Sequence, residues 1–579
     1  MAARTALLVS LARTCCGALP QVPLPLTDSF PRVPSPLVTV DWRGLASDAV
    51  DFIFDATRVG PHLPLLWWDT ARRNVNATSF GVPSYVGGAT GDGAAHESIA
   101  GAALVLTAAL AGRNVSCLSG GGFECVDVER MLLEYFDVQF GSGIWTDVAS
   151  PNMSLWYASW VNMLPVMVAG ASGTGALLGR VRDAGRAWLR VEAALGAPLP
   201  DFNVTRVDWV GGVPHGVAGD DRSYPLPVAA AGVAWQLYAT RAALGESDAD
   251  APALLRGATD ALNYLFTVPY NCYWEVLLPF GALAAARINA EQGTRYNVSR
   301  LLNFVLEDDL PSVFPFRWGW GTIAESWSGV DVFGLTGAVT DRGGYAFAMD
   351  TFATLSALLP VARYEAQFAR ALGVYAANAA NAARLFFPRF NAPGAQSDAD
   401  WVTAAGEGAD ALAYEGVRRW GFNETDGNIT GPYATGDGKS QDHVATNLAV
   451  YGGAYVGLMA ALVVPLPGAP AGVAAFDLVA TDWFARPAAP TTLVYNGRAT
   501  HADAALPLPP GRWDVYDAVA QEWAARNATR TATVTVAPDA AAVFVTVAAG
   551  ARVVRDEAHN WLLADGVVID WQLEPRGLA

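Results

Sequence analysis

The chain is poor in positive charge. Lys439 is the only lysine among 37 basic residues, which face 55 acidic ones, and the net charge is −18. Nucleic acid demands clustered Lys and Arg, so that class of partner is excluded. Charge of either sign is scarce, at 16% against 52% hydrophobic residues, and this excludes a disordered chain. Cysteine and histidine are few, at five and six. No Cys/His spacing reads as zinc, and His96-Glu97-Ser98 lacks the second histidine of HExxH, so no metal is expected. There is no GxSxG, no P-loop and no dinucleotide fingerprint, so no cofactor is expected either. Long apolar runs are missing too. The stretches 98–111 and 448–464 are short for a bilayer, rich in Ala and Gly, and lack basic flanks. They read as helices buried in a large core, with no integral membrane span. Oligomeric state is not legible.

Aromatic residues, by contrast, are abundant: 20 Trp, 18 Tyr and 24 Phe. They fit a large core and a cleft on which sugar rings stack. The heavy use of Ala, with the single Lys, reads as codon bias and carries no mechanism.

The N-terminus reads as an export signal. A basic start, a short apolar run and small residues at Cys16-Gly17-Ala18 mark 1–18 as a signal peptide, and 19–37 as a Pro-rich leader. Eight N-x-S/T sequons occur, at Asn76, Asn114, Asn152, Asn203, Asn297, Asn423, Asn428 and Asn527. Chance predicts roughly two at this Ser/Thr frequency. The excess points to a secreted or luminal glycoprotein. Cys117 and Cys125 flank a Gly-rich loop and are expected to pair, which leaves Cys272 as a buried thiol.

Helical periodicity recurs about twelve times, near 47–58, 95–111, 125–136, 154–169, 175–195, 227–244, 251–266, 273–291, 298–306, 345–359, 363–387 and 442–464. The segments alternate between apolar and amphipathic. That pattern predicts a mainly α chain with an (α/α)6 toroid over 38–466. Past about Gly468 the pattern turns to period two with NG, PG and DG turns. A C-terminal antiparallel β-sandwich over 471–579 is expected. Gly-Asp loops precede several apolar helices. ATGDG occurs twice, around Asp92 and Asp437; GDD carries Asp221 and TDRGG carries Asp341. These aspartates cap helices or, if the inner helices all start at one end, ring one cleft.

With this helix count, the repeated Gly-Asp loops and the appended β-domain, the chain resembles the six-hairpin glycosidase superfamily. The resemblance implies cleavage of glycosidic bonds, by hydrolysis or by elimination, with a carbohydrate as partner. Hydrolysis uses two carboxyl groups across the scissile bond, one of them kept protonated by burial. The segment 317–345 carries the densest such mixture. Glu325 lies between Trp320 and Trp327 and is expected as one catalytic carboxyl, with Asp341 or Asp221 as the other. Asp69 beside Trp68, Glu275, Trp320, Trp327, Arg342, Tyr345 and His443 are expected to bind substrate, the Trp faces by stacking on sugar rings. A lyase would instead use Tyr224, Tyr345, His215 or His443. A third reading is a carbohydrate-binding protein without turnover.

Overall fold

The computed structural model describes residues 18–71, 78–94, 96–147, 153–210, 225–307, 319–339, 344–420, 430–439, 444–485 and 487–571, with the backbone of 214–215. Asp221, Tyr224, Asp341, Arg342 and His443, the side chain of His215, and the sequons at Asn76, Asn152, Asn423 and Asn428, lie outside the described residues.

The helices used below are α1 (Trp42–Ile53), α2 (Ser98–Leu110), α3 (Leu155–Ser172), α4 (Leu178–Leu195), α5 (Ala229–Leu244), α6 (Ala251–Thr267), α7 (Leu277–Gln292), α8 (Val298–Val305), α9 (Ala348–Leu358), α10 (Ala369–Ala382) and α11 (Val456–Leu462). They fall into two kinds. In α5 every residue from Ala229 to Arg241 is buried, and α9 is buried throughout. In α4 burial follows a stripe through Val181, Ala184, Trp188, Val191 and Leu195. That three-and-four spacing belongs to a helix with one face on a core. The fully buried kind form a closed circuit: α2 packs on α3, α3 on α5, α5 on α7, α7 on α9, α9 on α11, and α11 returns to α2. Striped helices pack outside it, α6 on α5 and α8 on α7 for example.

Small residues set how closely the circuit closes. A Cβ added to Gly281 would stand 2.7 Å from Ala231 Cβ, and one on Gly457 2.5 Å from Thr107 Cα. The Ala and Gly content therefore has a mechanism after all, because it lets buried helices approach backbone to backbone. No helix of the described residues is long and apolar enough to cross a membrane.

Three expected helices differ. The stretch 363–387 is broken at Glu365, beyond which α10 begins only at Ala369. The stretch 125–136 opens in a hairpin, Leu118–Gly120 with Phe123–Val126, across which Cys117 is disulfide-bonded to Cys125. Only short turns follow, begun by the Asp127 side chain accepting from Arg130 N at 2.8 Å. The stretch 442–464 is helical only over Val450–Gly453 and Val456–Leu462. Gly452 and Gly453 are poor helix formers, and Gly453 is pressed against Ala413.

A five-stranded antiparallel sheet packs against α9, which its third strand runs into directly. Its strands are β1 (Trp320–Thr322), β2 (Thr336–Ala338), β3 (Tyr345–Phe347), β4 (Gly416–Trp420) and β5 (Thr430–Thr435), in spatial order β5-β4-β3-β2-β1. Its strand ends deliver the site described next. The C-terminal part is antiparallel β. Here β6 (Val473–Asp477), β7 (Thr491–Asn496), β9 (Trp513–Asp517), β10 (Glu522–Ala528) and β12 (Ala540–Ala548) form one sheet, and β8 (Ala502–Pro507) pairs with β11 (Thr531–Val536). Val494, Leu506, Val515, Val534 and Phe544 from both sheets make a second, separate core. Burial in β11 alternates residue by residue, as period two requires.

The Pro-rich leader lies against both parts. Asn378 and Asn381 donate to Pro31 O and Pro36 O at 2.8 and 3.1 Å, while Leu19 N donates to Val519 O and Tyr495 OH to Arg32 O. Asp482, in the loop between β6 and β7, accepts from Arg363 at 2.8 Å and Tyr364 at 2.6 Å, and Arg287 of α7 donates to Trp483 O at 2.8 Å.

Candidate active site

Three segments far apart in sequence meet at one carboxylate. Glu415 immediately precedes β4, and its backbone is fixed on both sides: its N–H donates to Asn447 O at 3.1 Å and its carbonyl accepts from Ala348 N at 2.9 Å. Its side chain is buried and its oxygens are filled. Oε1 accepts from Tyr85 OH at 2.7 Å and from Tyr451 OH. Oε2 accepts from Tyr345 OH at 2.6 Å and from Asp437 N at 2.7 Å. Tyr85 OH also meets Asp437 Oδ1 at 3.1 Å, so one hydroxyl touches both carboxyl groups. The Arg418 guanidinium lies 4.2 Å from the centroid of the Tyr345 ring.

Sequence explains this locally. Asp437 follows β5 in the second ATGDG. A Cβ at Gly436 would stand 2.8 Å from Glu415 Oε2, so glycine is what lets the Asp437 amide reach that oxygen. The first ATGDG works differently. Asp92 is exposed and closes a turn, accepting from Thr70 N and Oγ1 at 2.6 and 2.7 Å and from Ala71 N at 3.0 Å. Those Thr70 bonds hold its carboxyl below the usual range. The repeated letters thus serve a loop at one place and a carboxyl pair at the other.

The two carboxyls differ in exposure. Glu415 is 3% exposed, whereas Asp437 is half-buried. Burial first, and the Glu415 charge second, push Asp437 up to about 7. Burial, then Glu415, likewise raises Tyr85, Tyr345 and Tyr451 well above the ordinary phenol value. Four residues beyond Tyr451, Tyr455 is buried and feels the charges of Glu97, Asp350 and Asp147. Burial, then the Glu97 charge, raises Asp147 well above the carboxylate range. Glu97 opens α2, and Asp350 lies in the first turn of α9. The first turns of two circuit helices and the end of β5 thus bring acidic groups to one region beside the Tyr451–Tyr455 segment.

Of the residues expected from sequence, Tyr345 joins the Glu415 cluster. Glu275, just before α7, is buried with φ at 50°, a left-handed backbone that costs a non-glycine residue about 1–3 kcal/mol. Its charge and that of Asp350 both reach Tyr273. Asp69 is fully buried. It accepts from Ala71 N at 2.9 Å and meets His96 Nε2 at 3.2 Å, while Tyr135 OH meets His96 Nδ1 at 2.6 Å. This chain anchors the residue that precedes Glu97. Trp68 is half-buried, edge-on to Phe123. Trp320 and Trp327 are buried, at 4% and 1% exposed, so they wall the sheet and offer no open face. Glu325 accepts from Trp327 Nε1 at 2.7 Å and from Arg419 Nη1 at 2.9 Å, tying the β1–β2 connection to β4.

Sequence reading missed Glu415, Tyr85, Tyr451, Asp147 and Asp350. The one local signal for Glu415 was a carboxylate in the otherwise apolar run Ala411-Leu412-Ala413-Tyr414 leading into a strand.

No family model matches the chain, and no curated protein matches it. Among solved structures it is similar to a Streptomyces avermitilis alpha-L-rhamnosidase complexed with L-rhamnose, with 15% identity and a TM-score of 0.33, over 77% of this chain and 38% of that one. The chain thus spans well under half the length of that neighbour. A likeness at this level carries no argument about activity, which rests on the geometry above.

Proposed function

We propose that this chain is a glycoside hydrolase whose chemistry centres on Asp437 and Glu415. The observation that carries the reading is the Tyr85 hydroxyl shared by the two carboxyls, one half-exposed and the other buried. The pair is too close to straddle a glycosidic bond, so it acts as one unit. Glu415 is the accepting member, its two oxygens taking three phenol O–H groups and one amide N–H. Asp437 is the member whose carboxyl is pushed up to about 7 and so carries the proton that is transferred.

In the reaction, Asp437 gives its proton to the glycosidic oxygen as the C1–O bond breaks. Water adds to C1, and its proton goes to a second carboxylate. The acidic group around Glu97 and Asp147, whose charges reach Tyr455 four residues beyond Tyr451, supplies one candidate for that carboxylate. The alternative centre pairs Glu325 with Asp341 or Asp221 in place of Asp437 and Glu415. Glu325→Gln with near-normal turnover removes that alternative, leaving Glu97→Gln to decide the candidate carboxylate.

The closed circuit of buried helices supports an (α/α)6 toroid over 38–466, and the second core supports a β-sandwich domain from 471 onward. A lyase reading needs a tyrosinate or histidine base. Tyr85, Tyr345 and Tyr451 face carboxylates that keep them as phenols, which weighs against it. The exposed sequons at Asn114, Asn203, Asn297 and Asn527 support a secretory route, which a mass loss on treatment of the native protein with N-glycosidase checks.

The test of function is product analysis on a panel of neutral aryl glycosides and oligosaccharides. Hydrolysis yields a new reducing end. An unsaturated, ultraviolet-absorbing product or no product at all overturns the reading.

A further inference from the structure

Trp420 is 40% exposed, although most tryptophans of this chain are buried. It ends β4, the strand that begins beside Glu415. At about 3.3 Å per residue, it stands roughly 17 Å from Glu415 along the strand. Side chains alternate across a strand, so Trp420 shares the face of Arg418. Arg418 is paired with Tyr345 on β3 and with Tyr433 on β5. That row is buried, and Tyr345 bonds Glu415. The exposed indole therefore lies about 7 Å beyond Arg418 along the strand, and Arg418 is in turn stacked on the Tyr345 ring whose hydroxyl bonds Glu415.

Its surroundings hold it in place. The Arg419 guanidinium lies 5.7 Å from the Trp420 ring centroid and is itself paired with Glu325. Glu325 is fixed in turn by the indole N–H of buried Trp327. The pairing register shifts opposite Arg419, where Gly431 and Pro432 of β5 face a single residue of β4. Such irregularities re-aim neighbouring side chains. An exposed indole flanked by an ordered Arg–Glu pair is suited to a sugar ring: the apolar face of the ring covers the indole, and its hydroxyls meet guanidinium and carboxylate.

We infer that Trp420 and Arg419 form a distal subsite for a remote sugar unit, so that the substrate is a neutral oligo- or polysaccharide chain and not a single glycoside. This rests on the hydrolase reading above and adds the substrate's length. The acidic surroundings favour a neutral chain over a uronate one.

The test compares Trp420→Ala and Trp420→Phe in the full chain. Substrates are p-nitrophenyl monoglycosides and the di- to hexasaccharides of the sugar that the wild-type protein hydrolyses. Trp420→Ala is expected to raise KM for the longer substrates roughly three- to tenfold, with kcat kept. Monoglycoside kinetics should stay unchanged, and Phe should restore most of the loss. Equal effects on short and long substrates, or none on either, overturn the inference while leaving the hydrolase reading intact. If the wild-type protein hydrolyses nothing, the hydrolase reading falls. The subsite is then read by retardation in gels containing laminarin, xylan, mannan or rhamnan. Retardation that Trp420→Ala abolishes supports it, and retardation unaffected by the change, or absent throughout, sinks it.

Discussion

At Asp437, burial and the Glu415 charge act in the same direction, and both consequences are measurable. As the proton donor it should fail once ionised, so turnover should fall on the alkaline side of about pH 7. Asp437→Asn should cost roughly 10²–10⁴-fold in kcat. Glu415→Gln removes the second contribution to the raised value. The alkaline limb should then move to lower pH, and an unmoved limb would separate the two groups. Stability has its own sign. A carboxyl raised in the fold binds more protons there than in the unfolded chain, so stability falls as pH climbs from the ordinary carboxylate range to about 7. Asp437→Asn should therefore melt higher than wild type at pH 8 while losing activity. Glu192 of α4 gives a control away from the site. It is buried, its Oε1 has no hydrogen-bond partner among the described residues, and burial, then Asp260, raises it well above the usual value. Glu192→Gln should stabilise by on the order of 1–3 kcal/mol near pH 7, with the gain vanishing near pH 4, in thermal melts with activity unchanged. Asp437 was legible in the sequence because its Gly-Asp loop is a local signal. Glu415 was not, because its donors come from Tyr85, Tyr345 and Tyr451, which only the tertiary fold unites.

Elements were more legible than side chains. Apolar and amphipathic segments were readable from period, since a helix buried on all sides and a helix with one dry stripe demand different sequences. Element ends and contacts were not. The apolar stretch 448–464 reads as one helix, yet the packing of Gly453 on Ala413 and the bridge between Leu448 and Tyr414 interrupt it. Trp327 reads as a sugar platform, but the closing sheet buries it. The glycines at helix crossings make the sharpest test. Gly281→Val places a whole isopropyl group against Ala231, so it should overpack the α5–α7 crossing and cost about 1–3 kcal/mol or more. A denaturant midpoint unchanged within error would mean that the crossing can open. Gly436→Ala tests the loop instead, since its Cβ meets Glu415 Oε2. Activity should drop with little change in melting temperature.

For the whole molecule, the joint between the helical circuit and the C-terminal sheets is ionic as well as apolar. Asp482 is buried between Arg363, Tyr364 and Arg287. Removing one member of a buried ion network leaves the rest uncompensated, and Asp482→Ala should cost about 3–5 kcal/mol. Salt screens such buried groups weakly, so the loss should persist in 1 M NaCl, unlike that of a surface pair. The leader adds backbone hydrogen bonds to both parts. This long-range seam was invisible to the sequence, where 19–37 read only as an extended approach to the fold.

Lys439 has a practical consequence. Its side chain is 43% exposed and paired with Asp398 at 3.2 Å. A protease that cuts only after lysine can therefore open the polypeptide at a single internal bond, two residues past Asp437. That cut separates the strand carrying the acid from α11, the helix that closes the circuit onto α2. If the circuit holds together through its buried faces, the nicked protein should migrate as one species under native conditions and as two under denaturing ones. The turnover it retains then measures how far the acid's placement depends on chain continuity and how far on packing alone.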